Sequence, residues 1–288
     1  GVGKTTLMNA HMPFIPYRDR PISIDEGSRE VRLPHETGVS LTTRDHEREH
    51  RRVTMADLMT ECNYLNPDVE VIAEVNTPAS FETFAETLNT GHGLLGTTHA
   101  SDVETLVNRL FEQDLPPHLL EEIDLLVFPR RADGERYVGS VVELVDERTY
   151  RELDRPDERC GVVRRDGTSI HWNEIVWREP DGSFDFVDAL RYDGTDPADP
   201  DGSDGHRQTN VFRRLGRLTD RTPSEVRSGF GRRHRYVQYL VREGIDDFET
   251  LFSVLADLET NEAATVERLR PDTEPTTTPR IEVEDGDD

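Results

Sequence analysis

Apolar and polar positions along the first half of the chain follow two alternating patterns. Short apolar runs that suit buried strands recur between segments whose apolar residues repeat every three or four positions, as on one face of a helix. The predicted strands cover residues 21–25, 39–43, 69–73, 94–98, 123–128 and 137–144, and the predicted helices cover residues 4–11, 54–62, 81–88 and 103–111. Strands that alternate with helices are typical of a parallel α/β sheet.

The pattern changes after Asp146. Two short strand-like segments at 159–165 and 169–177 surround a turn at Asp166-Gly167, and together they predict a β-rich unit. Helical periodicity returns between Pro223 and Glu259. We therefore divide the chain into a core at 1–146, a small β-rich appendage at 147–192, an acidic linker at 193–208, a helical segment at 209–270 and a disordered acidic tail at 271–288.

The charge of the chain is strongly acidic and its cations are almost all arginine. The 59 Asp and Glu outnumber the 34 Lys and Arg, for a net charge of −25, and 33 of those 34 cations are Arg. An acidic surface that is poor in lysine is typical of proteins that stay soluble in molar salt, so we expect a halophilic, haloarchaeal origin. The acidity also argues against nucleic acid as a partner, because phosphate contacts need a basic surface.

Composition excludes several other classes of protein. Cys62 and Cys160 lie too far apart for a CxxC zinc or redox motif, and two cysteines make no disulfide framework. No apolar run is long enough for a transmembrane helix, and the first residues do not resemble a secretory leader. We therefore expect a soluble, cytoplasmic protein.

The first six residues, Gly1-Val2-Gly3-Lys4-Thr5-Thr6, match the second half of the phosphate-binding loop GxxxxGK[ST]. In that loop, backbone N–H groups bind phosphate oxygens, the lysine reaches the β- and γ-phosphates, and the hydroxyl binds Mg²⁺ at the start of a helix. A short motif can also arise by chance at an exposed helix start. Lys4 is the single lysine of the chain, which favours the functional interpretation.

Acidic residues and a histidine follow the predicted strands. Glu74 ends the apolar run 69–73, and Asp25 and Glu26 end the strand 21–25. Carboxylates at such positions suit Mg²⁺ binding and the activation of water, although a strand or turn that merely ends in a charge gives the same pattern. His99 follows the strand 94–98 on the same expected edge, where it would sense the γ-phosphate. We interpret His92 as a loop residue.

The order of these pieces resembles one family. The chain resembles the secretion ATPase superfamily of type II and type IV secretion, the archaeal type IV pilus and the archaellum. The motifs that carry the resemblance follow one another in the same order: the GKTT loop, the acidic pair, the segments Leu33-Pro34-His35-Glu36 and 39–44, the strand ending in Glu74, and Thr90-Gly91-His92-Gly93 with Thr97, His99 and Ala100. The resemblance covers about residues 1–146. It implies a RecA-like P-loop NTPase core, a parallel sheet flanked by helices, whose first strand would precede Gly1.

The resemblance also implies an activity and its residues. The chain would hydrolyse ATP with Mg²⁺ as a homohexamer on a membrane platform protein of a pilus or secretion system, peripheral to the inner face of the cell membrane. By position, the residues that would bind nucleotide are Gly1, Gly3, Lys4, Thr5 and Thr6, and those that would hold Mg²⁺ are Thr5 and Glu74. Glu26 or Asp25 would be the general base, and His99 would be the sensor of the γ-phosphate. The candidates for contacts with nucleotide across a subunit interface are Arg29, Arg32 and Arg44.

Two departures from the family pattern leave alternatives open. The family usually has Glu-Asp where this chain has Asp25-Glu26, so the general base is not assigned to one of the two. The family also has arginines before the strand and after Glu74, where this chain has Asn66 and Asn76. An arginine that stabilises transition-state charge contributes about 10³–10⁵ in rate. The alternatives are a catalytically weak or silent ring subunit that regulates or scaffolds an active paralogue, and a nucleic-acid-translocating motor, which the acidity disfavours.

Overall fold

A computed structural model of the chain describes residues 1–27, 29–88, 91–113, 115–120, 122–132, 134–153, 158–165, 167–190 and 209–269. The predicted linker at 193–208 and the predicted tail at 271–288 lie outside the described residues.

A four-stranded parallel sheet forms the first part of the fold. Its strands are β1 (Pro21–Asp25), β2 (Val39–Thr42), β3 (Val69–Ile72) and β4 (Gly93–Gly96), in the order β2-β1-β3-β4. The register places Ile24 opposite Leu41 and Ile72, and Ile72 opposite Gly96. Because all the strands run in one direction, the residues that follow β1, β3 and β4 meet at the same edge of the sheet.

Helices cover both faces of this sheet. On one face, α1 (Lys4–His11) and the 3₁₀ turn Met12–Phe14 bury Met8 and Met12 in one cluster with Val71 and Ala73. Successive strand residues point to opposite faces, so Ile72 joins the core on the other side. That core is built by α2 (Met55–Tyr64), α3 (Pro78–Leu88) and α4 (Val103–Glu112), which contribute Met59, Phe81 and Val107.

A second, antiparallel sheet follows. Its strands are β5 (Leu126–Ala132), β6 (Glu135–Val145), β7 (Cys160–Arg165), β8 (Thr168–Arg178) and β9 (Phe184–Phe186), in the order β5-β6-β8-β7 with β9 paired to β8. The short helices α5 (Pro117–Leu120) and α6 (Glu147–Glu152) accompany it. Phe128, Val142 and Ile170 join the same buried cluster as Ile72, so the two sheets share one core.

Four helices complete the described chain: α7 (Val211–Thr219), α8 (Pro223–Arg242), α9 (Phe248–Thr260) and α10 (Glu262–Arg268). Phe212 of α7 packs edge-on against Phe230 of α8, with ring centroids 5.7 Å apart. None of the described helices is both long and apolar enough to cross a membrane.

The structure confirms the predicted α/β class, with a parallel sheet flanked by helices, a β-rich part and a C-terminal helical segment. Three details differ from the sequence pattern. β5 and β6 lie in the predicted core, but they belong to one sheet with β8 of the predicted appendage. This sheet therefore spans the predicted boundary at residue 146. The division into domains stays a prediction. β5 begins later than expected and continues into the polar residues up to Ala132. The helical periodicity after Pro223 is interrupted near Gly244, whose φ of +65° ends α8.

Candidate functional site

The amino-terminal end of α1 is open to an anion. Gly3 precedes the helix with φ +95°, a conformation that residues with a side chain rarely adopt, and no side chain caps the first turn. The first N–H groups of a helix lack partners within the helix, and the helix dipole favours negative charge there. Residues 3–5 therefore present backbone donors of the kind that bind phosphate.

Lys4, His99 and Glu74 form a chain of contacts at this end of α1. Lys4 Nζ lies 3.3 Å from His99 Nδ1, and His99 Nε2 lies 2.5 Å from Glu74 Oε1. A neutral imidazole satisfies both contacts, because Nδ1 accepts from the ammonium group while Nε2–H donates to the carboxylate. The structure thus brings together three predicted site residues from α1, the end of β3 and the end of β4.

The hydrogen bonds between β3 and β4 continue past the strands and fix Glu74 beside His99. Val75 N donates to Thr97 O at 2.8 Å, Thr97 Oγ1 donates to Ala73 O, and Thr98 Oγ1 donates to Val75 O at 2.9 Å. Arg109 of α4 donates to the carbonyl of His99 at 3.0 Å. The side chains of His99 and Glu74 remain 62% and 29% exposed, so a ligand in solution can reach them.

Asp25 is fully buried at the end of β1 and holds the segment that follows. Its Oδ1 accepts the N–H groups of Glu30 and Val31, each at 3.0 Å. Burial raises the pKa of the Asp25 carboxyl above its ordinary value, although the two N–H donors act in the opposite direction. These contacts give Asp25 a structural task, because the carboxylate is directed into the turn rather than towards solvent.

The other predicted residues lie apart from the Lys4 contacts that the structure shows. Glu26, Arg29 and Thr6 are exposed. Arg44 pairs with Val53 through the backbone and donates from Nε to Arg51 O at 2.9 Å, which engages it within its own loop. Arg32 lies over the Phe248 ring of α9, 4.8 Å from its centroid. Their roles towards nucleotide stay predictions.

Asn9 and Arg136 contact this site and were not predicted from the sequence. Asn9 Nδ2 lies 3.1 Å from Thr5 O and 2.8 Å from Glu30 O, and Asn9 Oδ1 accepts from Arg32 N at 2.8 Å. It therefore joins α1 to the segment after Asp25. Arg136 Nε of β6 donates to Gly1 O at 3.3 Å. Asn9 carried a weak signal, since a polar residue inside a short helix can bond to nearby backbone, but Arg136 lies far from the loop in sequence.

The donor set fits a phosphate group with a divalent cation. The uncapped N–H groups of α1 and the Lys4 ammonium suit phosphate oxygens, and the Thr5 hydroxyl and Glu74 carboxylate are oxygen donors of the kind that Mg²⁺ prefers. Within the described ranges, no three His, Cys, Asp or Glu side chains form a metal-binding group. Such a cation would therefore depend on phosphate oxygens and water for most of its coordination.

Comparisons with known proteins match the first part of the chain. A family model described as type II/IV secretion system protein matches residues 1–128. The uncharacterized protein MJ1287 of Methanocaldococcus jannaschii is 34% identical over 151 residues, which are 50% of this chain and 55% of that protein. The type IV secretion system protein VirB11 of Brucella suis is 34% identical over 114 residues, 38% of this chain and 31% of that protein. The chain thus spans about a third to a half of the curated relatives that it matches.

Two solved structures are similar over about half of the chain. The VirB11 ATPase of the Brucella suis type IV secretion system, in complex with sulphate, is 28% identical with a TM-score of 0.41, over 49% of this chain and 45% of that one. The ATPase DotB of Legionella pneumophila is 19% identical with a TM-score of 0.39, over 48% of this chain and 41% of that one.

The family match covers the phosphate loop, the acidic strand ends and the histidine segment, which are the residues that the fold brings to one edge of the parallel sheet. Residues 1–128 of the chain are thus similar to the type II/IV secretion system proteins, among them VirB11.

Proposed function

We propose that the chain is the ATP-hydrolysing subunit of a type II/IV secretion or archaeal type IV pilus assembly system. The observation that carries this proposal is the contact chain from Lys4 through His99 to Glu74 at the open end of α1. It works as a homohexamer on a membrane platform protein, at the cytoplasmic face of the membrane. The proposal extends to this chain the role in type IV secretion that the name of the relative VirB11 states.

The proposed reaction is the attack of water on the γ-phosphorus of ATP, which breaks the bond to the β,γ-bridging oxygen and releases ADP and phosphate. Lys4 and the first N–H groups of α1 bind the phosphate chain. Thr5 and Glu74 would hold Mg²⁺, which neutralises charge on the phosphate oxygens when it is bound. His99 contacts both Lys4 and Glu74, so a γ-phosphate bound by these two residues would alter the contacts of His99. This is the role of the γ-phosphate sensor.

We propose Glu26, rather than Asp25, as the carboxylate that activates the attacking water. Asp25 is fully buried and accepts two backbone N–H groups, whereas Glu26 is exposed immediately after it. A general base must reach the water that it deprotonates. Glu26→Gln should therefore abolish turnover without loss of fold, while Asp25→Asn should mainly lower stability.

The central test is ATP hydrolysis by the full gene product in molar KCl with Mg²⁺, with Lys4→Ala and Glu74→Gln as variants. We expect both substitutions to abolish turnover, and Lys4→Ala to abolish nucleotide binding as well. Thr60→Ala is the matched control, because among the described residues its exposed hydroxyl bonds only to Ala56 O within α2. Turnover that survives both substitutions in a folded protein would contradict the proposed active site.

A second function, a nucleotide-binding ring subunit with little or no turnover, rests on Asn76. Asn76 stands where the family usually has an arginine, and its Oδ1 is buried without a hydrogen-bond partner among the described residues. Mg-ATP binding without turnover in the wild type, and a rise in turnover on Asn76→Arg, would favour this function. Turnover in the wild type that Asn76→Arg does not raise would exclude it. Stimulation of that turnover by DNA would instead indicate a nucleic-acid motor.

A further inference from the structure

Arg136, on the second sheet, reaches the phosphate loop. It lies at the start of β6, just after the turn that joins this strand to β5, and its Nε donates to Gly1 O at 3.3 Å. The Arg136 side chain also covers Gly3. A Cβ built on Gly3 would lie 2.8 Å from Arg136 Cδ, closer than real Cβ atoms approach another heavy atom. The φ of +95° favours glycine at position 3, and a side chain there would also displace the stem of Arg136.

Among the described residues, the terminal nitrogens of the Arg136 guanidinium have no hydrogen-bond partner. Nε bonds to the Gly1 carbonyl, and among the described residues Arg136 makes no ion pair with a carboxylate. Its side chain is exposed. The two terminal nitrogens, one carbon beyond Nε, therefore keep their N–H donors for a ligand at the loop.

The charge of the site calls for a second cation. Lys4 is the single lysine, and its ammonium already contacts His99, in a chain with a net charge of −25. A triphosphate carries more negative charge than one ammonium group and one divalent cation neutralise. A planar guanidinium can donate two parallel hydrogen bonds to phosphate oxygens, which makes arginine well suited to this position.

We infer that Arg136 binds the phosphate chain of the nucleotide held by the loop of its own subunit. This inference rests on the proposed function, since it names a further phosphate ligand of the same site. Arg136 approaches from the β5–β6 hairpin, so the antiparallel sheet supplies one ligand and the parallel sheet with α1 supplies the others. Nucleotide binding then depends on both sheets.

The test measures the dissociation constant of a fluorescent ATP analogue, and its displacement by inorganic tripolyphosphate, with the full gene product. Arg136→Met keeps the apolar stem that covers Gly3 and removes the charge, while Arg136→Lys keeps the charge. We expect Arg136→Met to weaken both ligands by roughly tenfold to a hundredfold, and Arg136→Lys to restore much of the loss. The matched control is Arg131→Met, the exposed residue directly opposite Arg136 in the hairpin, which should bind like wild type.

Each outcome decides a different point. If Arg136→Met binds both ligands like wild type while Lys4→Ala does not bind them, the proposed site stands and the inference about Arg136 is wrong. If Arg136→Met and Arg131→Met weaken binding equally, the effect is a general one of surface charge, which also overturns it. If Lys4→Ala binds like wild type, the proposed function itself fails. If the unfolding midpoint of Arg136→Met equals that of wild type, its weaker binding comes from lost contacts with the ligand. If that midpoint falls, the binding of Arg136→Lys shows whether the charge at position 136 is needed.

Discussion

Replacement of the buried Glu143 by alanine should detach the carboxyl-terminal helices from the antiparallel sheet. The Glu143 carboxylate, 2% exposed in β6, accepts hydrogen bonds from Asn173 Nδ2 at 2.7 Å, from Asn210 N at 3.0 Å and from Thr209 Oγ1 at 3.1 Å. Asn173 belongs to the neighbouring strand β8, whereas Thr209 and Asn210 precede α7. One side chain therefore joins parts of the chain that are 66 residues apart in sequence.

The magnitude follows from the donors that the substitution leaves behind. A buried donor without an acceptor costs about 1–3 kcal/mol. Asn173 and Thr209 are fully buried, while Asn210 is only partly buried and can bond to water. Two full losses and one partial loss give a decrease of about 3–5 kcal/mol in the free energy of unfolding, similar to the loss of one partner of a buried charged pair.

Urea denaturation followed by tryptophan fluorescence measures this loss. Trp177 lies in one cluster with Phe212 of α7 and Val226 of α8, so its emission reports whether these helices remain packed on the sheet. Glu135→Ala, an exposed position on the same strand, is the control and should change stability by less than about 0.5 kcal/mol. A loss below about 1 kcal/mol for Glu143→Ala would refute the assignment of Glu143 as the anchor.

Three further predictions concern the core. His99→Ala should lower the rate of ATP hydrolysis by about tenfold to a hundredfold with little change in the nucleotide dissociation constant. The reason is that Lys4 and Glu74 lose the side chain that links them but remain in place. Steady-state kinetics measured beside equilibrium binding will separate the two effects. Thr54→Ala should cost about 1 kcal/mol in urea denaturation, since it removes the capping box with Asp57 at the start of α2, and an unchanged midpoint would contradict the cap. Burial raises the pKa of Cys62 to about 12. In a Cys160→Ser variant, a thiol reagent at pH 8 should therefore label Cys62 only after urea is added. Rapid labelling of the folded protein would show instead that the Cys62 thiol is accessible.

Local signals in the sequence were sufficient for most of the parallel core. The strand 21–25, the helix 4–11 and the capping residues Thr54 and Asp57 were predicted as the structure has them, because each depends on neighbouring residues. The meeting of Glu74 and His99 also followed, since parallel strands end at one edge. Their roles in catalysis stay predictions.

Contacts between distant segments could not be predicted in this way. Glu143 and Arg136 find their partners 66 and 135 residues away, and nothing in their own neighbourhood indicates those partners. β5 extends to Ala132 because its backbone pairs with the start of β6 across the turn at Gly134. The strand therefore continues beyond the apolar run from which it was predicted. The buried position of Asp25 likewise depends on the N–H groups of residues 30 and 31, which a strand pattern does not specify.

The hydrogen bonds of Asn9 have a mechanical consequence. Asn9 fastens α1 to residues 30–32, and Arg32 in turn lies over Phe248 at the start of α9. The backbone N–H of Tyr17, soon after the 3₁₀ turn, makes a second link to α9 through Glu259. The amino-terminal segment thus contacts α9 at both its first and its last turn. The helix that follows Gly3 is therefore connected to the carboxyl-terminal helices at two separate points, one at each end of α9.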